Sequence, residues 1–261
     1  MFGGPRGALR LSTLAQAPTK PPASSTLSLR RLDAVLSQTN DDLSSRIEAL
    51  SRHFLGRPYK ENPLKGSPNS PEVLTASLTG FDCVTYVETV LALARARRLR
   101  DFTEELQKIR YKHGQVQWSR RNHYMTDWIR NNLQNRVVEP VPLPAVPIVV
   151  RVRLLNTVPG LAPRQTRVKC IPKTAISRAE PYLQSGDLIF FASTRRNLDV
   201  FHVGILVRGP DSINLRHASR SQGRVVEQRL RDFLKANRMA GVIVVRPRQL
   251  APVDAPGKLP A

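Results

Sequence analysis

One cysteine and two histidines are the residues of this chain whose types and order could perform covalent chemistry. Cys83 follows Asp82 where an irregular stretch changes into a helical apolar pattern, and His202 and His217 lie on consecutive predicted strands. A thiol at a helix N-terminus, followed by strand-borne imidazoles, is typical of a cysteine nucleophile with its base and an orienting group. The order therefore predicts hydrolysis or acyl transfer, provided that the three side chains meet in the fold.

The position of Cys83 predicts an activated thiol. Asp82 is the expected N-cap, which places Cys83 in the first helical turn. There the helix dipole and the free backbone N–H groups stabilise a thiolate, so we expect the pKa of Cys83 to lie below the free value of about 8.5. The alternative is a buried structural cysteine, which is the commoner fate of a lone cysteine.

The two histidines are predicted to share one face of a hairpin. Strand alternation groups His202 with Gly204, which leaves space beside the imidazole for another backbone or a substrate. An imidazole is a suitable general base near neutral pH, and His217 on the next strand could hold its second nitrogen. The alternatives are a core histidine bonded to a backbone carbonyl at position 202 and an edge-strand surface histidine at position 217.

A polar and aromatic stretch at 118–128 precedes a predicted short helix and is a candidate substrate-binding loop. Its candidate binding residues are Arg121, His123, Tyr124, Asp127 and Trp128, and the alternative is an ordinary structured loop. No set of His, Cys and carboxylates has metal-ligand spacing, and no glycine-rich phosphate loop occurs. We therefore expect neither a metal nor another cofactor.

Charge and cysteine content restrict the partners and the class of fold. The chain carries 41 Lys and Arg against 20 Asp and Glu, a net charge of +21. A positive electrostatic field of this size attracts nucleic acid, anionic lipid or acidic polymers. A biased composition that spreads arginine over nearly every segment would produce the same net charge.

Two cysteines exclude a disulfide framework. No run approaches the length of a membrane-spanning helix, and Arg10 interrupts the only apolar N-terminal stretch, so no secretory signal is predicted.

The elements that must position these residues are helices first and strands second. Amphipathic helices are expected within 32–54, with Asn40 or Asp41 as a cap between them, and a pairing segment near 72–78. Further helices are expected from Asp82, at about 101–111 and after the 118–128 stretch. Short strands, with a short helix near Phe233 between the last two, are expected at 188–191, 200–207, 213–217, 224–227 and 242–246.

This order is typical of a single α+β domain. The expected organisation is a flexible leader (1–28), one domain (29–250) with a helical part (29–136), a variable Pro-rich insert (137–180) and a β part (181–250), and a tail (251–261).

Several motifs together resemble the NlpC-type papain-like cysteine hydrolases of bacterial cell walls. The motifs, in the order of that family, are Gly-Arg-Pro-Tyr at 56–59, Asp-Cys at 82–83, Gly-Asp-Leu-Ile-Phe at 186–190, His-Val-Gly-Ile at 202–205 and His-Ala-Ser at 217–219. Each motif alone is weak, but the ordered set over about 50–247 is specific. The closer resemblance is to the N-acetylmuramoyl-L-alanine amidase-like branch, formerly a domain of unknown function, through 80–88, 121–128 and 241–247.

The resemblance implies a fold and an activity. The fold would be papain-like and NlpC-type, with N-terminal helices packed on a C-terminal antiparallel sheet. A Cys83–His202–His217 triad, with Tyr59 and Asp82 in oxyanion and supporting roles, would cleave the amide between N-acetylmuramic acid and L-alanine in peptidoglycan or muropeptides. A periplasmic or extracellular location would follow from the family, whereas the sequence carries no clear signal for export.

Other functions stay open on the sequence alone. The same scaffold could act as a γ-D-glutamyl–diamino-acid endopeptidase, or as an acyltransferase if it had an apolar acyl channel. A non-catalytic basic module that binds anionic envelope polymers is the alternative from another class, whereas a nucleic-acid partner is not expected. The stretch from Pro140 to Pro172 matches the family poorly, so the substrate is less well specified than the reaction.

Overall fold

The computed structural model of the chain describes residues 42–96 and 98–249, together with Leu32 and Leu36. The expected leader (1–28) and tail (251–261) lie outside these residues. The described part is an α+β protein with antiparallel sheets, as the sequence predicts. Across the described ranges, none of the helices combines the length and the apolar character that crossing a membrane requires.

The helical half precedes the strand-rich half in the chain. The first half contains α1 (Leu43–His53), β1 (Lys65–Ser67), β2 (Ser70–Val73), α2 (Cys83–Arg95), α3 (Phe102–Arg110) and α4 (Met125–Gln134). The second half contains β3 (Val138–Pro140), β4 (Val149–Leu155), β5 (Arg164–Cys170), α5 (Ile176–Ala179), β6 (Leu188–Ala192), β7 (Val200–Arg208), β8 (Ile213–Ser219), β9 (Arg224–Arg229), α6 (Leu230–Ala236) and β10 (Gly241–Pro247).

The largest sheet of the described residues has six antiparallel strands in the order β3-β10-β6-β7-β8-β9. All five residues of β6 are buried because helices cover both faces of the sheet. Leu188 and Phe190 pack with α1–α4, whereas Ile189 and Phe191 pack with α5 and α6. Strand alternation thus divides the core into two layers, one on each side of the sheet.

Helix α2 is the central helix of the structure. It packs on β7 and β8 on one side and on α1 and α3 on the other, and residues 85–94 are all buried. The sequence predicts one buried stripe for this helix, but its neighbours cover it on nearly every side. Glu88 is the charged residue among these buried ones, and its carboxylate accepts a 2.6 Å hydrogen bond from Arg110 and a 3.2 Å hydrogen bond from the Trp128 indole N–H.

Strands β4 and β5 form a separate two-stranded hairpin from the Pro-rich insert. Their register runs from Val149 opposite Cys170 to Leu155 opposite Arg164. An isolated bridge from Ile171 to Val242 attaches the base of the hairpin to the main sheet. The segment is therefore extended and is held on the body of the domain.

Two local predictions in the first half of the chain are wrong. The cap of α1 is Asp42, whose carboxylate accepts the Ser45 N–H at 2.9 Å, whereas Asn40 and Asp41 lie outside the described residues. The pairing segment expected near 72–78 starts earlier, because a turn at 67–70, in which the Asn69 N–H donates to the Ser67 hydroxyl, joins β1 to β2.

The buried ion pair between Glu88 and Arg110 gives a prediction about stability. Glu88→Gln leaves the Arg110 charge buried without a counterion and should lower the free energy of unfolding by about 3–5 kcal/mol. Urea unfolding measures this loss. Glu48→Gln, which breaks an exposed pair with Arg52, is the control and should cost less than about 1 kcal/mol. Equal losses in the two variants would contradict the role given to the buried pair.

Candidate active site

The start of α2 is fixed by a capping box. The Asp82 carboxylate accepts the Thr85 N–H at 2.7 Å, and the Thr85 hydroxyl accepts the Asp82 N–H at 3.0 Å. The fully buried Phe81 anchors the residue before the cap, since its N–H donates to Pro58 and its carbonyl accepts the Lys60 N–H. Local sequence and tertiary pairing therefore both place Cys83 at the first helical residue, as predicted.

Cys83 is half-buried between α2 and β7. The backbone N–H of Val203, the residue after His202, lowers the pKa of the thiol, as do the N–H groups of Cys83 and Val84. Burial outweighs these donors and, with a contribution from the Asp82 carboxylate, raises the pKa of Cys83 to about 12. The expectation of a lowered pKa is therefore wrong, because loss of water around the sulfur exceeds the effect of the helix N-terminus.

Tyr59 lies close to the thiol. Its N–H donates to the Gly223 carbonyl, and a parallel bridge joins it to Phe81 immediately before the helix. Burial raises the pKa of the Tyr59 phenol, and the charges of Cys83 and Asp82 act in the same direction. The phenol therefore remains a neutral hydrogen-bond donor near the sulfur.

His202 and His217 form a hydrogen-bonded pair. His202 Nε2 lies 2.7 Å from His217 Nδ1, with the two rings nearly perpendicular. The alternative of a surface histidine at position 217 is excluded, since His217 is 2% exposed and β8 lies between two strands. Gly204 allows this approach, because a Cβ there would lie 2.9 Å from the Arg216 carbonyl oxygen of the neighbouring strand.

An aromatic wall surrounds the histidine pair. Phe233 of α6 contacts both rings at 5.4 and 5.3 Å between centroids, and Phe191 stacks on His202 at 6.0 Å. Burial lowers the pKa of His202 to about 3, with His217 as a second cause, and it lowers the pKa of His217 to about 4. Both imidazoles are therefore neutral at pH 7.

His202 lies opposite Phe191 in the strand register and stacks on Phe233, so its ring is on the face of the sheet that α6 covers, whereas Cys83 packs with the core on the other face. The structure shows no hydrogen bond between Cys83 and the imidazole. Since Nε2 of His202 is occupied by His217, Nδ1 is the ring nitrogen that remains for a reacting proton. The neutral ring can accept a proton there only if it carries its own proton on Nε2.

Gln228 is the residue of this cluster that the sequence analysis missed. Its amide nitrogen lies 2.9 Å from His217 Nε2. In the strand register His217 is opposite Val226 and Leu215 is opposite Gln228, so Gln228 is the diagonal neighbour of His217 on the same face. The alternating pattern of β9 could have indicated it, but a register error of one residue would have moved it to the other face.

The orientation of the Gln228 amide determines which tautomers the histidines adopt. If the amide oxygen faces His217, it accepts the Nε2–H, and His217 Nδ1 then accepts the Nε2–H of His202. This arrangement leaves His202 Nδ1 free as a base. In the orientation that the structure shows, the amide nitrogen faces His217, which reverses the chain and places a proton on His202 Nδ1.

A cavity of about 300 Å³ opens beside the first turn of α2. It is lined by Asp82 and Val84, which flank Cys83, and by a polar wall comprising Glu88, Arg110, Arg121, Asn122 and His123. Arg121 is tied to the Glu72 carboxylate at 3.0 Å, and His123 Nε2 lies 2.7 Å from the Trp118 carbonyl oxygen. Two of the five expected binding residues, Arg121 and His123, therefore line a cavity at the start of α2, and their side chains are held in fixed orientations.

The other three expected binding residues are structural. Trp128 is 1% exposed in the core, and the buried Tyr124 hydroxyl accepts the N–H groups of residues 157 and 158 at the hairpin tip. Asp127 pairs with Arg130 and Arg164. Helical spacing thus turns Tyr124, Asp127 and Trp128 towards the core and the hairpin, and they do not line this cavity. Their role in substrate binding stays a prediction. Over the described ranges, no group of three or more His, Cys, Asp or Glu residues could hold a metal ion.

Comparisons with known proteins identify the family and the fold. The family model for N-acetylmuramoyl-L-alanine amidase-like proteins matches residues 49–242. The chain is 26% identical to an N-acetylmuramoyl-L-alanine amidase from Bacteroides uniformis, with a TM-score of 0.70 over 79% of this chain and 99% of that one. A Legionella pneumophila protein described by the family DUF1460 has the same fold, with a TM-score of 0.75, 23% identity and coverage of 86% and 95%. A comparison with curated proteins gives no match.

The neutral histidine pair predicts a loss of stability in mild acid. In the unfolded chain a histidine titrates near 6.5, whereas the folded values are about 3 and 4, so the unfolded state binds more protons between these limits. The free energy of unfolding should therefore fall below about pH 6.5, by up to about 1.4 kcal/mol per pH unit for each histidine.

Urea unfolding at several pH values between 7.5 and 4.5 measures this dependence. The double variant His202→Gln/His217→Gln should have a shallower pH dependence than the wild type, whereas His113→Asn, at an exposed position, should follow the wild type. Parallel curves for the wild type and the double variant would show that the pair is not neutral when folded.

Proposed function

Because the chain belongs to the N-acetylmuramoyl-L-alanine amidase-like family, we propose that it is a cysteine amidase acting on peptidoglycan fragments. The bond cleaved is the amide between N-acetylmuramic acid and L-alanine. The observation that carries the proposal is the buried histidine pair, in which His202 Nε2 lies 2.7 Å from His217 Nδ1, on the strands against which the capped helix of Cys83 packs.

The first half of the proposed reaction forms a thioester. As the substrate carbonyl approaches, the Cys83 thiol gives its proton to His202 Nδ1, and the sulfur bonds to the carbonyl carbon. The Cys83 N–H and the Tyr59 phenol donate to the resulting oxyanion, and one such donor contributes about 3 kcal/mol. His202 then gives the proton to the alanine nitrogen, the C–N bond breaks, and the peptide leaves as an amine.

The second half regenerates the enzyme. His202 takes a proton from a water molecule, whose oxygen attacks the thioester carbon, and the C–S bond then breaks. The sulfur recovers the proton from His202, and the muramic acid carboxylate is released. The low pKa of His202, about 3, keeps this base unprotonated throughout the neutral pH range.

The same proposal places the chain in the NlpC-type papain-like superfamily. A helix-borne cysteine that precedes two strand-borne histidines on an antiparallel sheet supports this assignment. In this scheme the polar cavity beside Cys83 receives the stem peptide, with Arg121 and His123 as hydrogen-bonding groups. Asp82 supports the site through the helix cap rather than by contacting the reacting atoms.

Replacement of the nucleophile tests the proposal directly. Cys83→Ala should reduce turnover of defined muropeptides by at least about 10³-fold while leaving the far-UV circular dichroism unchanged. Cys170→Ala removes the other thiol, which is buried near Ala240, and should retain activity. Mass spectrometry should show a stem peptide that starts with L-alanine.

Two results would contradict the proposal in different ways. Wild-type turnover by Cys83→Ala would exclude a cysteine mechanism. Cleavage after D-glutamate, with the muramic acid amide left intact, would instead indicate an endopeptidase on the same site.

Gln228 gives a second prediction about the reaction. Gln228→Leu cannot accept the His217 Nε2–H and should lower kcat about tenfold with little change in KM, since the base loses its preferred tautomer. Gln228→Glu can still accept this proton and should recover most of kcat, with the acid limb of the pH–rate profile moved to higher pH.

The matched control is Gln115→Leu at an exposed position, which should leave kcat unchanged. Equal kcat values for the Leu and Glu variants of Gln228 would show that its amide does not set the tautomer.

A further inference from the structure

The β4–β5 hairpin exposes a column of aliphatic side chains to solvent. Ile148, Val150, Val152 and Leu154 are 51%, 51%, 56% and 46% exposed. Three of them alternate along β4, so they share one face of the strand. Aliphatic side chains exposed singly are ordinary, but a continuous exposed column of four is typical of a binding surface.

The hairpin is held so that this face must point outwards. The opposite face is buried against the domain through Leu155, Val168 and Cys170. The tip is fixed by the Tyr124 hydroxyl, and the base by the bridge between Ile171 and Val242. The exposed column therefore cannot be buried by a simple rotation of the hairpin.

A cationic column lies beside the aliphatic one. Lys169 is opposite Val150 and Arg167 is opposite Val152 in the strand register, and both cations are exposed. Directly opposed residues of an antiparallel pair project to the same face. Residues 140–179 contain seven Lys or Arg and no Asp or Glu, so no acidic side chain of this segment neutralises the cations.

We propose that this face, formed by Ile148, Val150, Val152, Leu154, Arg167 and Lys169, binds the surface of an anionic phospholipid bilayer. Aliphatic side chains enter the boundary between headgroups and acyl chains, while adjacent cations contact the anionic headgroups. The column spans seven residues of extended chain, about 20 Å, which suits a flat surface. The net charge of +21 adds a long-range attraction to the same surface.

Charge disfavours a second copy of this chain as the occupant. A symmetric contact would place Arg167 and Lys169 close to the same residues of the other copy, with no acidic partner on either face. An acidic peptide would satisfy the cations but would leave the apolar column to be covered by a separate feature. A bilayer buries the aliphatic column and pairs the cationic column with its headgroups at the same time. The inference does not depend on the proposed amide cleavage.

Vesicle sedimentation of the full chain tests the proposal. The protein should sediment with vesicles containing about 30% phosphatidylglycerol and not with pure phosphatidylcholine vesicles at about 0.1 M salt. The variants Val150→Ser/Val152→Ser and Arg167→Gln/Lys169→Gln should each reduce the partition coefficient at least about tenfold, while the unfolding midpoints confirm that both are folded.

Matched controls separate this face from the general charge of the protein. Arg231→Gln/Lys235→Gln removes two exposed cations from α6, and Leu55→Ser/Val73→Ser removes two exposed aliphatic side chains. Each of these control variants should reduce the vesicle partition coefficient by less than about threefold.

Four results would overturn the proposal. The protein could fail to sediment with anionic vesicles, or the control and face variants could lose the same factor in partition coefficient. The protein could also bind a poly-glutamate peptide more tightly than vesicles, or form a concentration-dependent dimer that Val150→Ser/Val152→Ser abolishes.

Discussion

The docking of the first turn of α2 against β7 is the constraint on which the site depends. It brings the sulfur of Cys83 close to the backbone of Val203, the residue that follows His202 in β7. The contact is set by tertiary structure on both sides, because Phe81 is paired with the Pro58–Lys60 segment and β7 lies between β6 and β8. A shift of α2 by one turn, about 5 Å, would remove the thiol from the histidine pair.

Burial dominates the electrostatics of this site. A helix N-terminus contributes about 0.3–1 kcal/mol to an anion at an exposed position, and here the loss of water around the sulfur and both imidazoles has the larger effect. The thiol of Cys83 and the imidazoles of His202 and His217 are therefore all neutral at rest. In the reaction that we propose, the proton moves only when a substrate carbonyl arrives. The direction of the hydrogen bonds from Gln228 through His217 then determines whether His202 can accept it.

Local patterns were sufficient to predict the elements that carry the chemistry. The cap at Asp82, the strands that carry the two histidines and the helix that contains Phe233 are confirmed, because each depends on residues close in sequence. The pKa of Cys83 and the part played by Gln228 could not be predicted, since burial and strand register arise only after distant segments pack. For the same reason the sequence could not show which residues of the 118–128 stretch face the cavity: Arg121 and His123 line it, whereas Trp128 reaches into the core.

The Pro-rich insert and the catalytic cleft are connected through Tyr124, whose hydroxyl holds the hairpin tip a few residues from the cavity. The central claim, however, concerns the thiol and its neutral base. The most direct test is the pH dependence of Cys83 alkylation by iodoacetamide in a Cys170→Ala background. A neutral pair predicts slow alkylation at pH 6 and a rate that is still rising at pH 9, because the pKa of the thiol is about 12. Rapid alkylation that is constant from pH 5 to 8 would demonstrate a thiolate–imidazolium pair and contradict the account.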